Sequence, residues 1–356
     1  MSAEAGAAGF DTSVVDFAAV AAWMDNLGLP GGPIRNVRPL AGGTQNVMLR
    51  FDRGDGSYVL RRPPVHQRPK SGDALRKEAR VLAALRPTPV RAPRVIAACM
   101  DETVLGDAVF YLMEPVDGVN PTTELTAAHQ EGPEIRHEMG LDAAIALAEL
   151  GATDHVALGL ADVGHPDGFL DRQVPQWLRH LASYREIKGY PGQDLPHIDQ
   201  TARWLTERLP RAWRPGIMHG DYHLANLMYE TAGPRVAAIV DWEMCTIGDP
   251  LLDLGWLLAT WPDGDGAMPG GKLADAGGLP ARGELIDAYG ARSSRDLSAI
   301  GWYAVLACFK LGIVLEGTYG RAFAGLAPRE VGDRLHATTL GLLERARAFM
   351  DGDVRA

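Results

Sequence analysis

The sequence predicts an α+β fold in two lobes, a small antiparallel-sheet lobe at the N-terminus and a larger, mostly helical C-terminal lobe. Three observations point there. Short alternating apolar runs fill the first 114 positions, with one amphipathic helix among them. Helical periods dominate after Val116. A cluster of acid, amide and histidine residues lies at 218–241, inside the helical part. With 356 residues the chain can bury a proper core in each lobe without a disulfide or metal staple.

Taken in order, Asp11-Thr12-Ser13 offers caps before Val14, Val15, Phe17, Val20 and Trp23, a helical stripe closed by Gly28. Ile34, Val37 and Leu40 lead into Gly42-Gly43-Thr44, after which Val47, Leu49 and Phe51 alternate as a strand. Asp55-Gly56 is turn chemistry, and the strand at 58–62 is stopped by Pro63-Pro64. Ala74, Leu75, Glu78, Val81, Leu82 and Leu85 mark a helix over 73–85, ended before Pro87. Strands follow at 95–98 and 109–113. The boundaries are therefore 1–114 for the first lobe, 115–118 for a hinge and 119–356 for the second. There, helices are expected at 139–151, 177–184, 201–209, 283–289, 296–315 and 329–350, with two short strands at 227–229 and 236–240. Asp249-Pro250 reads as a helix start with proline at its first position.

Apolar residues make up 46% of the chain and charged residues 22%, an ordinary enzyme composition. The formal net charge is −10 and no basic block occurs, so neither nucleic acid nor an anionic membrane is an expected partner. Cys99, Cys245 and Cys308 show no CxxC spacing and are expected to be buried free thiols. The first nine residues carry no basic or strongly apolar stretch, and the apolar runs near 251–261 and 300–315 are short or interrupted. The expectation is a cytoplasmic protein without a signal peptide or membrane span.

The chemistry concentrates in His219-Gly220-Asp221, with Asn226 five residues on and Asp241 after a short apolar run. Phosphoryl transfer from a nucleotide needs a carboxylate to orient the attacking hydroxyl, and an amide and a carboxylate to hold Mg²⁺. Asp221 suits the first role, as catalytic base; Asn226 and Asp241 suit the second. His219 suits a brace for the loop. A rival arrangement takes His219, Asp221 and His223 as alternate ligands of a transition metal in a phosphohydrolase. In the N-terminal lobe the backbone of Gly42, Gly43 and Thr44 could approach phosphates. Arg61 on the third strand could pair with Glu78 and a phosphate, while Arg62 faces the other way by alternation. The connector with Met113, Glu114 and Val116 could meet an adenine edge. Asp249 reads as a helix cap, Asp253 as a first-turn acid that could also brace the loop, and Trp256 and Trp261 as core.

These motifs, with Val59-Leu60-Arg61-Arg62-Pro63-Pro64 and Ile239-Val240-Asp241-Trp242-Glu243, resemble the aminoglycoside phosphotransferase and choline-kinase-like superfamily. The nearest likeness is to the kinase-like domains associated with acyl-CoA dehydrogenases. The resemblance implies a two-lobed protein-kinase-like fold, ATP or GTP with Mg²⁺, and transfer to a hydroxyl of a small molecule. The acceptor it allows is an antibiotic of the aminoglycoside type, or a hydroxylated metabolite or acyl thioester. Acceptor binding is expected in the 167–215 helices and the 262–280 loop, with Trp177, Tyr184, Arg179, Arg185 and Glu243 as contacts. Arginine stands where the family usually has lysine, which leaves a catalytically silent nucleotide-binding module as the alternative.

Overall fold

The computed structural model describes residues 14–40, 46–64, 71–192, 195–262, 268 and 270–355. Its packing divides the chain into two units, Met1–Asp117 and Gly118–Ala356. In the first unit, helix α1 (Phe17–Asn26) begins at Asp16, whose carboxylate accepts the N–H groups of Ala18 and Ala19 at 2.9 and 3.0 Å. The cap is therefore Asp16, rather than a residue of the 11–13 run, which lies outside the described residues. Strands β1 (Arg35–Pro39), β2 (Val47–Arg53), β3 (Gly56–Arg62), β4 (Val95–Cys99) and β5 (Phe110–Met113) form one antiparallel sheet in the order β1-β2-β3-β5-β4. Helix α2 (Ser71–Leu85) comes between β3 and β4 in the chain. Strand β2 alternates strictly between buried and half-buried, so Leu49 and Phe51 enter a core with Val20, Met24, Leu60, Phe110 and Leu112. Gly42, Gly43 and Thr44 lie outside the described residues.

The second unit opens with helices α3 (Ala127–Gln130), α4 (Pro133–Gly151), α5 (Phe169–Ser183) and α6 (Ile198–Glu207). Four short strands follow, β6 (Gly216–Met218), β7 (Leu227–Tyr229), β8 (Val236–Ile239) and β9 (Thr246–Gly248). They make two small antiparallel ladders, β6 with β9 and β7 with β8. Helices α7 (Leu251–Thr260), α8 (Gly271–Asp275), α9 (Arg282–Gly290), α10 (Ile300–Phe323) and α11 (Arg329–Met350) complete the unit. The expected α+β fold is borne out; the structure adds strands β6 and β9 and helices α3 and α8, starts α4 and α5 earlier than expected, and extends α10 to Phe323. Helix α10 is apolar because it packs against both α7 and α11. By length and composition it could cross a membrane, but 83% of its most apolar window is buried within the protein. Cys99, Cys245 and Cys308 are buried and form no disulfide among the described residues.

The close approach of α7 to α10 depends on one residue without a side chain. A Cβ on Gly255 would lie 2.5 Å from the backbone C and O of Tyr303 and 2.9 Å from the backbone N of Ala304. Those neighbours are helix backbone and have no rotamer to change. Gly255→Ala is therefore expected to push the helices apart and destabilise the fold by about 1–3 kcal/mol. Urea unfolding measures it, and a variant as stable as the wild type would contradict this packing.

Candidate phosphotransfer site

The β6–β9 and β7–β8 ladders position the site. Strand β6 ends at Met218, paired with Thr246, and delivers His219-Gly220-Asp221 beside the start of α7. A short helical turn, Leu224–Asn226, then leads into β7. In the β7–β8 hairpin Leu227 opposes Ile239, and the Val240 N–H donates to the Asn226 carbonyl at 2.9 Å. Asn226 and Asp241 thus sit on adjoining ends of one hairpin. Asp241 takes φ 66°, a left-handed conformation that a non-glycine residue holds only where its surroundings impose it.

The loop itself is held from below. Asp253, in the first turn of α7 and 1% exposed, accepts the backbone N–H of His219 at 2.6 Å and of Gly220 at 2.9 Å, one on each oxygen. Gly220 has φ 88°, and a Cβ there would come within 2.5 Å of the Met244 carbonyl oxygen, so the turn requires glycine. His219 is fully buried; its Nε2–H donates to the Val240 carbonyl at 2.9 Å and its Nδ1 accepts the Asp221 N–H at 3.3 Å. Burial lowers the imidazole to about 4, outweighing the nearby acids. It is a neutral brace.

Asp221 is gripped on both oxygens. The Trp256 indole N–H donates to Oδ1 at 3.0 Å, and the Asn226 amide N–H donates to Oδ2 at 3.1 Å and to the Asp221 carbonyl at 2.9 Å. His223 Nε2 lies 3.4 Å from Oδ1. About a third of the side chain stays open, 35% of its surface. Burial works to raise this carboxyl, but the hydrogen bond and charge of His223, with His219 and Lys310, hold it at about 2. Asp221 is therefore an ionised, oriented carboxylate at neutral pH. It lines a cavity of about 1170 Å³ whose wall includes His223, Leu224, Trp256, Leu311, Leu315 and Arg334.

The oxygen donors suit a hard cation. With the Asn226 NH₂ group turned toward Asp221, its amide oxygen has no hydrogen bond among the described residues. That oxygen and the Asp241 carboxylate match Mg²⁺, which takes one or two protein oxygens and completes its shell with phosphates and water. They do not match a transition-metal centre. Both ring nitrogens of His219 are engaged, and the described residues contain no cluster of three or more His, Cys, Asp or Glu fit to hold a metal. This geometry removes the His219, Asp221 and His223 hydrolase arrangement.

Other expected residues fall in different places. In the N-terminal unit Arg61 Nε pairs with Glu78 Oε2 at 3.2 Å, both nearly buried. Arg62 instead binds the Val14 and Pro63 carbonyls and Asp107, a purely structural set. Met113 and Val116 are half-buried and Glu114 is exposed, but the Glu114 N–H is already given to the Arg94 carbonyl at 2.9 Å. Glu243 is half-buried on the turn after Asp241. Tyr184 does not line the cavity: it is 7% exposed and its hydroxyl donates to the Ile313 carbonyl at 3.0 Å. Trp177 places its ring beneath Lys310, and Arg179 and Arg185 are exposed. None of the 167–215 helices lines the cavity; α10, α11, Met268 and Gly270 do. Pro250 precedes α7 as its cap position rather than its first helical residue, and Asp249 accepts the Leu251 N–H at 3.1 Å while also binding Tyr303.

Two residues escape a reading of motifs. Trp256 is core, 5% exposed, yet its indole N–H holds Asp221. The signal is its i,i+3 spacing from Asp253, which puts both on one face of α7. Lys310 is 9% exposed in the middle of an apolar helix, a position too costly for an ammonium without purpose.

Burial raises Asp253 from an ordinary 3.8 to about 7, against the pull of the Gly220 and His219 N–H groups and Lys310. It holds its proton more tightly folded than unfolded. Its share of stability is therefore full below about pH 4 and is lost as pH rises through 7. Asp253→Asn should erase that slope in a series of denaturant melts. It should also leave one loop N–H without an acceptor, at a cost of about 1–3 kcal/mol. A variant with unchanged stability and slope would show that the loop is held otherwise.

Comparison with known proteins bears on the family and the fold. Residues 36–288 match the profile of the phosphotransferase enzyme family. A crystallised protein of Ralstonia eutropha JMP134, provisionally described as an aminoglycoside phosphotransferase, superposes with a TM-score of 0.77 at 27% identity, over 94% of this chain and 98% of that one. The GDP and kanamycin complex of an aminoglycoside 2″-phosphotransferase superposes with a TM-score of 0.61 at 18% identity, over 94% and 99% of the two chains, and shares the fold. Acyl-CoA dehydrogenase family member 11 of Homo sapiens is 29% identical over 290 residues, 80% of this chain and 36% of that protein. The chain spans less than half the length of the curated relatives it matches. On these grounds the chain belongs to the phosphotransferase enzyme family.

Proposed function

We propose that this chain transfers the γ-phosphoryl group of ATP or GTP to a hydroxyl of a small molecule, with Asp221 as the carboxylate that orients the hydroxyl and accepts its proton. The observation that carries the reading is the double grip on Asp221, Oδ1 by Trp256 and Oδ2 by Asn226, at the wall of a cavity large enough for an acceptor. A carboxylate held near 2 is a weak base. That suits phosphoryl transfer, whose loose transition state asks for orientation and charge stabilisation more than for proton abstraction.

Asn226 and Asp241 would hold Mg²⁺, which when bound neutralises charge on the phosphates. Arg61, steadied by Glu78, would serve the phosphates in place of the usual lysine. For adenine or guanine the backbone of Met113 and Val116 and the Glu114 carbonyl remain, together with Gly42, Gly43 and Thr44 for the phosphates. The GDP complex among the similar folds supports nucleotide use and leaves GTP as open as ATP.

The cavity bears on the acceptor. Leu224, Trp256, Leu311 and Leu315 give it apolar walls, and Arg282, Arg334, Arg345 and Arg347 outnumber Glu344 and Asp353. With Asp221 counted among the acids, the wall holds four arginines to three carboxylates, and this small cationic excess suits an apolar acceptor with an anionic part, such as a hydroxylated metabolite or acyl thioester, better than a polycationic aminoglycoside. Glu243 and Trp177 would then lie outside the acceptor's immediate contacts.

Mg²⁺ with ATP or GTP should raise the melting temperature, equivalent to about 2.7 kcal/mol at a hundred times the dissociation constant. Asp241→Ala should abolish the Mg²⁺-dependent part. In a transfer assay from γ-labelled nucleotide to a panel of hydroxylated acyl thioesters and aminoglycosides, Asp221→Asn should lower turnover by roughly 10²–10⁴. Its nucleotide affinity should stay near that of the wild type. Nucleotide binding without transfer to any acceptor would favour the silent module, and no binding at all would refute the reading.

A further inference from the structure

Lys310 lies in the middle of α10, 9% exposed, and makes no ion pair or hydrogen bond among the described residues. Its ammonium sits over two indole faces instead, 4.6 Å from the Trp256 ring centre and 5.5 Å from that of Trp177. The charged groups that act on it are Asp253 and Asp221. Trp177 Nε1 is itself buried without a hydrogen-bond partner among the described residues. A partnerless buried N–H costs about 1–3 kcal/mol, so the ring is kept in place for its face. A desolvated cation over an aromatic face gains about 2 kcal/mol, enough to fix the plane of an indole but not to offset full burial of the charge.

Resting on the phosphotransfer reading, we infer that Lys310 is a positioning residue of the site. Its ammonium holds the Trp256 indole in the plane from which the N–H grips Asp221 Oδ1, and supplies the buried counter-charge for Asp253 and Asp221. Asp253 keeps the loop by its two backbone contacts, Trp256 keeps the carboxylate, and Lys310 stands behind both. Three helices meet in it: α5 through Trp177, α7 through Trp256 and Asp253, and α10 through Lys310 itself.

Lys310→Met keeps the length and removes the charge. Because the ammonium is paid for in desolvation, the variant should melt no lower than the wild type. Its Trp256 indole N–H resonance, identified by its loss in Trp256→Phe, should move in a ¹H–¹⁵N spectrum. Turnover of Mg²⁺–ATP, to the acceptor found by the panel or to water, should fall on the order of ten- to a hundred-fold with the nucleotide KM little changed. Lys310→Arg should restore part of that loss. An unmoved indole resonance, whether or not the melting temperature drops, would overturn the inference, as would unchanged turnover in Lys310→Met. If the wild type transfers no phosphate to anything, the functional reading fails, while the resonance still decides whether Lys310 holds Trp256.

Discussion

The carboxylate of Asp253 reaches from the first turn of α7 to accept two backbone N–H groups, those of His219 and Gly220, and the site depends on this contact. The turn at Gly220 leaves no room for a side chain, so the loop cannot be fixed by packing from above. Backbone donors held by a buried acid fix its course instead. His219 then ties the loop to the end of β8 through the Val240 carbonyl, and Val240 ties back to Asn226. The loop, the amide and the second acid are in this way parts of one hydrogen-bonded frame. Asp221 needs no strain of its own to point outward.

The frame carries a cost in stability. Asp253 is buried, and burial raises its carboxyl to about 7 even with two N–H donors and Lys310 against that trend. An ionised carboxylate accepts both donors best, so the form that serves the loop is the one that burial disfavours. Lys310 is the other half of this bargain, a cation lowered by its own burial and favoured by the two acids. Sites that keep such groups ionised give up some folding free energy for geometry.

Much of the fold and part of the site are legible in the sequence. Alternation along β2 and the period of α2 follow directly from side-chain burial on one face. The stretch from His219 to Asp241 is legible because its partners are close in sequence and joined by one hairpin. Arg61 and Glu78 are legible because alternation on β3 decides which arginine meets the helix. What sequence does not show arrives from separate helices. Trp256 reads as core, and it is core; that its N–H reaches Asp221 depends on where α7 starts relative to β6. Tyr184 carries the right chemistry for an acceptor contact but packs against α10, and the cavity wall is built by α10 and α11 instead. Lys310 stands out only as an ammonium in an apolar run, a signal whose meaning needs the two indoles beside it.

The central claim is that the framed carboxylate directs a phosphoryl group onto an acceptor hydroxyl. It is tested most directly by ³¹P NMR of the protein with Mg²⁺, nucleoside triphosphate and a pool of hydroxylated acyl thioesters. The account expects the γ-phosphate resonance to be replaced by a phosphomonoester resonance that carries coupling to the acceptor's protons. Loss of the γ-phosphate to inorganic phosphate alone, with every acceptor present in excess, would contradict it.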